Sequence, residues 1–502
     1  MDPLKKAAGC WPGERALDTI GSMTGISERA VVRRLNDRLG FGPAPGDLEA
    51  GVDATVRRLL GPGADAAAAA IAVPTGLEPP AKPKKPDKQD KDGKKPRQDT
   101  AKGPGAETTP GAERSPGGER SPDGERSPDG ERSSGAERDP EAKKAANRQR
   151  AAQERKLTLW WLDRMVVSRT AGERLTWFWH GHFATSNQKV RNAAWMLAQN
   201  QTQRRLALGR FGDLAQAMIV DNATIRWLDG QRNRKGSPNE NLAREFLELF
   251  TLGIGHYQEA DVAQGARCLT GWVLREDGAT FQRRRFDSGT KTVLGRTGDF
   301  DAKDFAALAL AQPASAAFVI GRLWFRLVSA TPPDAATVAR LSTAYGGSRD
   351  VRSLLTAMVG EAGFRDPAAS LVKQPVEWAV GLLRALGVRP GKLAEKEQTK
   401  LLAGLRGMGQ LPYRPPSVGG WPAGASWLTT SAGVTRLQLA QQLAKKADLS
   451  IVDNATDRVS AVGALLGVDS WSQRTRSALA GVKDPVQLTA VAACAPEYVV
   501  NG

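Results

Sequence analysis

The sequence predicts a mainly α protein: a multi-helix globular body with one small β-hairpin and a long disordered insert. Three observations predict it. Apolar residues recur at helical spacing through most of the chain, often behind a capping signature. A tract in the first third loses nearly all large apolar side chains. One short segment switches from the helical period to a strand-turn-strand pattern.

The division follows from that tract. Residues 1–78 form a small helical segment expected to dock on the main body, because Val31, Val32, Leu35 and Leu39 lie at helical spacing and Gly40-Phe41-Gly42-Pro43 ends the run. Residues 79–146 are rich in Lys, Pro, Asp, Gly, Ser and Glu, with a six-residue unit Gly-Glu-Arg-Ser-Pro-Asp and glutamates at Glu113, Glu119, Glu125, Glu131 and Glu137. So short a period with no apolar position reads as a low-complexity linker and not as a solenoid. Residues 147–502 are the main helical domain.

Within it, Thr170 to Glu173 has the form of a capping box, followed by Leu175, Phe178 and Trp179 on one helical face. A second box is expected at Ser237, with Pro238 at the first helical position and Glu240 three residues after the cap. Behind it Leu242, Phe246, Leu249 and Phe250 form a buried stripe that stops at Gly253. The hairpin is Trp272 to Arg275 and Thr280 to Arg283 around Glu276-Asp277-Gly278-Ala279.

Hydrophobic residues at 40% and charged residues at 25% of 502 fit a folded protein with a sizeable core. The longest small-apolar run, Ala66 to Val73, is far shorter than the roughly 20 residues of a membrane span, and no apolar h-region follows the charged start. The chain as written is therefore expected to be cytoplasmic, with no membrane insertion. Cys10, Cys268 and Cys494 are scattered and odd in number, which argues against a disulfide framework. The net charge of +17 raises non-specific nucleic-acid binding as an option. Its lysines and arginines are dispersed, however, and charge alone speaks to solubility and non-specific association.

Several ordered blocks resemble one family: Leu39-Gly40-Phe41-Gly42, Phe178-Trp179-His180-Gly181-His182-Phe183, Pro238-Asn239-Glu240-Asn241-Leu242-Ala243-Arg244-Glu245, and Glu248-Leu249-Phe250-Thr251-Leu252-Gly253. Leu269-Thr270-Gly271-Trp272, Lys373-Gln374-Pro375-Val376-Glu377 and Arg414-Pro415-Pro416-Ser417-Val418-Gly419-Gly420-Trp421-Pro422 follow in order. The chain resembles the bacterial "domain of unknown function 1800" family over nearly everything but the linker. That resemblance implies no established activity. It does imply a neighbour, a second family that resembles sulfatases and often carries a twin-arginine export signal. A helical scaffold or accessory protein, working with such a sulfatase-like partner and exported with it, is therefore the leading expectation. The lysine-rich insert departs from the family pattern. So does Phe286-Asp287, where the family often has His-Asp, and no histidine role carries over there.

The chemical candidates are few. His180, His182 and His256 are the only histidines. Neutral imidazole is a common metal ligand, and His180 and His182 near carboxylates would suit zinc or another divalent metal. Residues two apart on a helix point to nearly opposite sides, so the two would converge only if the helix ended near Gly181. Asn241, Arg244, Glu245 and Glu248 share a polar face opposite the Leu/Phe stripe. Glu245 and Glu248 would serve as ligands or as general acid and base, with Arg244 orienting an anionic group, if that face met the histidines. This is the rival reading, a metal-dependent hydrolase. The plain readings are packed scaffold for the histidines and a surface Arg244 to Glu248 ion pair. Trp421 and Trp427 offer aromatic platforms for a ligand, although 13 tryptophans against 4 tyrosines, most beside Leu and Phe, point first to burial.

Overall fold

The computed structural model describes residues 26–80 and 140–501. Residues 26–79 and 150–501 belong to one compact unit built almost entirely of helices, and Pro80–Gln149 are grouped apart. The expected insert at 79–146 lies outside the described residues except at its two ends. At the second end a helix, Pro140–Val167, already runs through residues expected for the linker. Its opening Pro-Glu-Ala-Lys-Lys-Ala-Ala explains this, with Pro tolerated in the first turn and strong helix formers behind it.

Two hydrophobic clusters fill the main unit. The first gathers Val31, Leu35 and Leu39 of the helix Glu28–Leu39 with Trp179, Phe183, Phe246, Phe250 and Phe305. The second gathers Trp161, Trp177, Trp378, Tyr413 and Trp421 with the C-terminal helices. The N-terminal helix is also pinned by two arginines. Arg34 donates to the carbonyls of Phe364 and Asp366 at 2.7 and 2.9 Å, and Arg38 to those of Val328 and Asn501 at 2.5 and 3.2 Å. Burying a guanidinium is tolerable only because carbonyl oxygens replace its water.

The helix Gly172–His182 lies between the clusters. Leu175, Trp179 and Phe183, four residues apart, enter the first, while Trp177 enters the second. The expected capping box at Thr170 does not form. The N-cap is Ala171 without a side-chain cap, because Glu173 is drawn into a buried cluster. It accepts from Trp161 Nε1 at 2.9 Å, Arg164 Nε at 2.8 Å and Arg204 Nε at 2.6 Å. Charge-assisted bonds in a low-dielectric site outweigh one cap.

The box expected at Ser237 is likewise absent. Ser237 closes a tight turn with Arg234, the helix begins at Asn241, and Glu240 instead pairs with Arg244 at 3.2 Å. From Phe246 to Thr251 the helix widens into a π-turn. The wider turn buries Leu247 where an α-helical period would bury Leu249.

The hairpin pairs Trp272–Leu274 with Ala279–Phe281. Two further short antiparallel pairs appear, Lys291–Val293 with Arg296–Gly298 and Leu371–Val372 with Val500–Asn501. The last ties the end of the chain to the segment before the helix Pro375–Ala385. Among the described residues no single helix is long and apolar enough to cross a membrane.

Candidate functional site

The helix continues through Gly181 to His182, so the two motif histidines leave it in different directions. His180 faces the second cluster, among Trp161, Trp177, Tyr413 and Trp421 at ring separations of 5.3 to 6.1 Å. Its Nε2 accepts the backbone N–H of Tyr413 at 3.1 Å, so that nitrogen carries a lone pair. His182 faces the first cluster, beside Phe178, Trp179, Phe183 and Phe211. Its Nε2 stands 2.9 Å from the carbonyl of Phe250 and donates to it, which leaves Nδ1 buried with no partner among the described residues. Burial pushes both imidazoles down to about 3. They are neutral, because desolvation penalises the charged form.

These contacts join motif blocks that are far apart in the chain. The bond from His180 anchors the proline-rich loop through Tyr413, whose own carbonyl takes the N–H of Asn187 at 2.9 Å. Gly420 of that loop sits so close that a Cβ there would lie 2.2 Å from the carbonyl oxygen of Gly181, and its φ is +82°. Glycine alone meets both conditions. Trp421 then stacks on Trp177, with centroids 4.8 Å apart and planes 26° off parallel. His182 secures the π-turn, whose register leaves the Phe250 carbonyl for a side-chain donor, and Thr251 Oγ1 donates to the Phe246 carbonyl at 2.6 Å inside the same turn.

The polar face of the Asn241 helix looks elsewhere. Asn241 is exposed and its amide donates to the Leu228 carbonyl at 3.2 Å. Arg244 makes two bonds of 2.7 Å to Glu259 besides its contact with Glu240, so the expected Arg244 to Glu248 pair is replaced. Glu248 accepts from the Tyr257 hydroxyl at 2.7 Å. Half-burial and then the charge of Glu248 raise the Glu245 carboxyl above its ordinary value. Among the described residues no three His, Cys, Asp or Glu side chains are grouped as a metal would need, so these histidines and glutamates do not form one ligand set. Trp427 is buried and, like Trp421, has an indole N–H without a partner among the described residues. At the position without the family's histidine, Asp287 is clamped by Arg267 at 2.7 and 3.1 Å and held down to about 2 by it.

Residues that sequence reasoning passed over complete the surroundings of His182. A small, partly open cavity of ≈ 30 Å³ lies between the helix Gly172–His182, the helix Pro313–Leu327 and the start of the helix Pro375–Ala385. Arg174, Arg322, Arg326 and Glu377 line it together with His182. Glu377 belongs to a motif noted above, and its carboxylate pairs with Arg174 and accepts the Gln374 N–H at 3.1 Å. Arg322 and Arg326 sit four apart on an otherwise apolar helix. That spacing hints at a shared face, but no local pattern marks what the face meets.

No curated protein and no solved structure matches the chain. The aromatic-histidine helix, the Asn-Glu-Asn block with its π-turn and the Gly-Gly-Trp-Pro loop are parts of one packed assembly. A family match spans residues 34–500, and the chain belongs to the family described as "Protein of unknown function (DUF1800)".

Proposed function

We propose that this chain is a helical accessory protein that works with a protein partner, of the sulfatase-like kind that the family resemblance implies. One observation supports it above the others. The imidazoles of His180 and His182 are spent on neighbouring backbone, each binding a distant motif block to the same helix. Residues so committed build a shape. A surface feature beside that shape fits a partner: Ile254, 78% exposed, is carried outward between Gly253 and Gly255, both at positive φ. An exposed aliphatic side chain next to the π-turn is a fitting anchor for a contact.

Copurification of tagged protein from cytosolic and exported fractions tests this. A sulfatase-like protein is expected to come down with wild type, and Ile254→Asp should reduce its recovery by roughly tenfold, the loss of about 1.4 kcal/mol. Absence of any such partner from both fractions would sink the proposal.

A second reading, the metal-dependent hydrolase, draws on the neighbouring carboxylates of Glu245 and Glu248. A carboxyl raised by burial beside a second one is a familiar acid/base arrangement. Elemental analysis of protein purified without a His tag separates the two. Divalent metal near one equivalent, lost in Glu245→Gln, supports the hydrolase, and less than about a tenth of an equivalent, unchanged in that variant, removes it.

A further inference from the structure

We infer that the cavity beside His182 is a binding site for a tetrahedral oxyanion, phosphate or sulfate, held by Arg174, Arg322 and Arg326. The inference is independent of the accessory reading and rests on three arginines that reading does not use.

The charges lining the cavity do not balance. Three guanidiniums face it, from Arg174, Arg322 and Arg326, against one carboxylate, Glu377, and an imidazole that burial keeps neutral. Arg174 is paired with Glu377 and also donates to the Arg38 carbonyl at 3.0 Å. Arg326 spends its two Nη atoms on the carbonyls of Trp421 and Pro422 at 2.7 and 3.1 Å, which fixes its plane but neutralises nothing. Arg322 has neither a hydrogen bond nor an ion pair among the described residues, and burial alone lowers its pKa. Two positive charges therefore stay uncompensated side by side at a half-buried site, where their mutual repulsion is relieved when an anion binds.

The shape and donors suit an oxyanion. Guanidinium forks match the edges of phosphate and sulfate, and three arginines from two helices line the cavity, Arg322 with its fork unspent. His182 adds a neutral aromatic ring to the lining, next to the arginines. Trp177, Phe178 and Trp421 give the cavity an aromatic wall, a surface of lower dielectric than water against which each charge contact is stronger.

The anion need not be a free ion. A second cavity of ≈ 230 Å³ adjoins the first and shares Arg174, Arg326, Gln374 and Glu377 with it. Phe325, Leu371 and Val372 give that chamber an apolar side, with room for the organic part of a small ester.

The test is calorimetric titration of the full chain with inorganic phosphate, inorganic sulfate, phenyl phosphate and phenyl sulfate, with chloride as control, followed in parallel by tryptophan fluorescence. Saturable binding of at least one oxyanion is expected, with a tryptophan signal from Trp177 and Trp421 and affinity reduced tenfold or more in Arg322→Gln. Arg322→Lys should recover part of it. Esters binding more tightly than the inorganic ions would name an ester as the source, and the reverse order would name the free ion. Unfolding without added anion separates a ligand role from a structural one, since Arg322→Gln removes an unpaired charge and should leave the midpoint unchanged or raised. Sulfate raises midpoints non-specifically by exclusion from surfaces. The inference is therefore overturned by an anion-induced gain equal in wild type and Arg322→Gln, by no saturable binding of any probe, or by a lowered midpoint of Arg322→Gln with anion affinity intact.

Discussion

Burial holds His180 and His182 neutral, and the consequence for stability has a definite sign. Both fall from the ordinary 6.5 to about 3 in the folded protein. Between those values the unfolded chain binds protons that the folded chain refuses, so stability is full above pH 6.5 and is lost as pH falls. Asp221, raised by burial to about 6, acts the other way. Between 3.8 and 6 the folded state keeps the proton that the unfolded state releases, so its contribution is present at low pH and lost as pH rises. Two histidines outweigh one aspartate, and denaturant titrations from pH 7.5 to 4.5 should show stability falling with acid. Each histidine adds up to about 1.4 kcal/mol per pH unit. His182→Gln, which retains an N–H for the Phe250 carbonyl, should make the decline shallower. Asp221→Asn, which retains the cap oxygen for Ala223 and Thr224, should make it steeper. Equal slopes in all three proteins would show that these groups do not carry the effect.

Among the elements, the proline-rich loop and the histidine helix depend most on each other. Replacing Gly420 with Ala would force a Cβ into the Gly181 carbonyl at a backbone angle that side chains resist. The expected loss is roughly 3 kcal/mol, read as a lowered denaturation midpoint. Gly419→Ala is the control, because a Cβ there meets only the Ser417 hydroxyl at 3.6 Å. Its effect should stay within about 0.5 kcal/mol. Equal effects of the two changes would remove the close approach as the reason for glycine. Elements also show where local reading stops. The stripe of Leu242, Phe246 and Phe250 was legible from spacing, since a buried helical face announces itself in any context. The boxes at Thr170 and Ser237 were not, because Arg164 and Arg204 compete for Glu173 and Arg234 claims the turn at Ser237. Boxes at Gln258 with Asp261 and Gln374 with Glu377 do form, the second with one Glu377 oxygen on the cap N–H and the other on Arg174.

Across the molecule, one helix serves two hydrophobic clusters, and this couples their unfolding. Trp179 and Phe183 belong to one and Trp177 to the other, so neither cluster can open without exposing a face of the helix Gly172–His182. Far-ultraviolet dichroism and tryptophan fluorescence should therefore follow one denaturation curve with a common midpoint. Two separated transitions would show that the clusters unfold independently. The polar face that would act with the histidines if it met them joins a different neighbourhood, since Glu248 binds Tyr257 and Arg244 binds Glu259.

Helical character, the polar tract at 79–146, the hairpin turn at Gly278 and membership in the family were all written in local order: spacing, composition and motif succession. These properties depend on neighbours within a few residues, so a linear reading reaches them. Which way each histidine turns, that Phe250 is left a carbonyl for His182, and that Arg322 and Arg326 meet Arg174 around one cavity were decided by packing. Arg174 and Arg322 lie on separate helices with nothing in the chain to mark their meeting. Contacts of that kind belong to the burial of whole elements, because a charge is drawn inside only after the apolar faces around it have found each other.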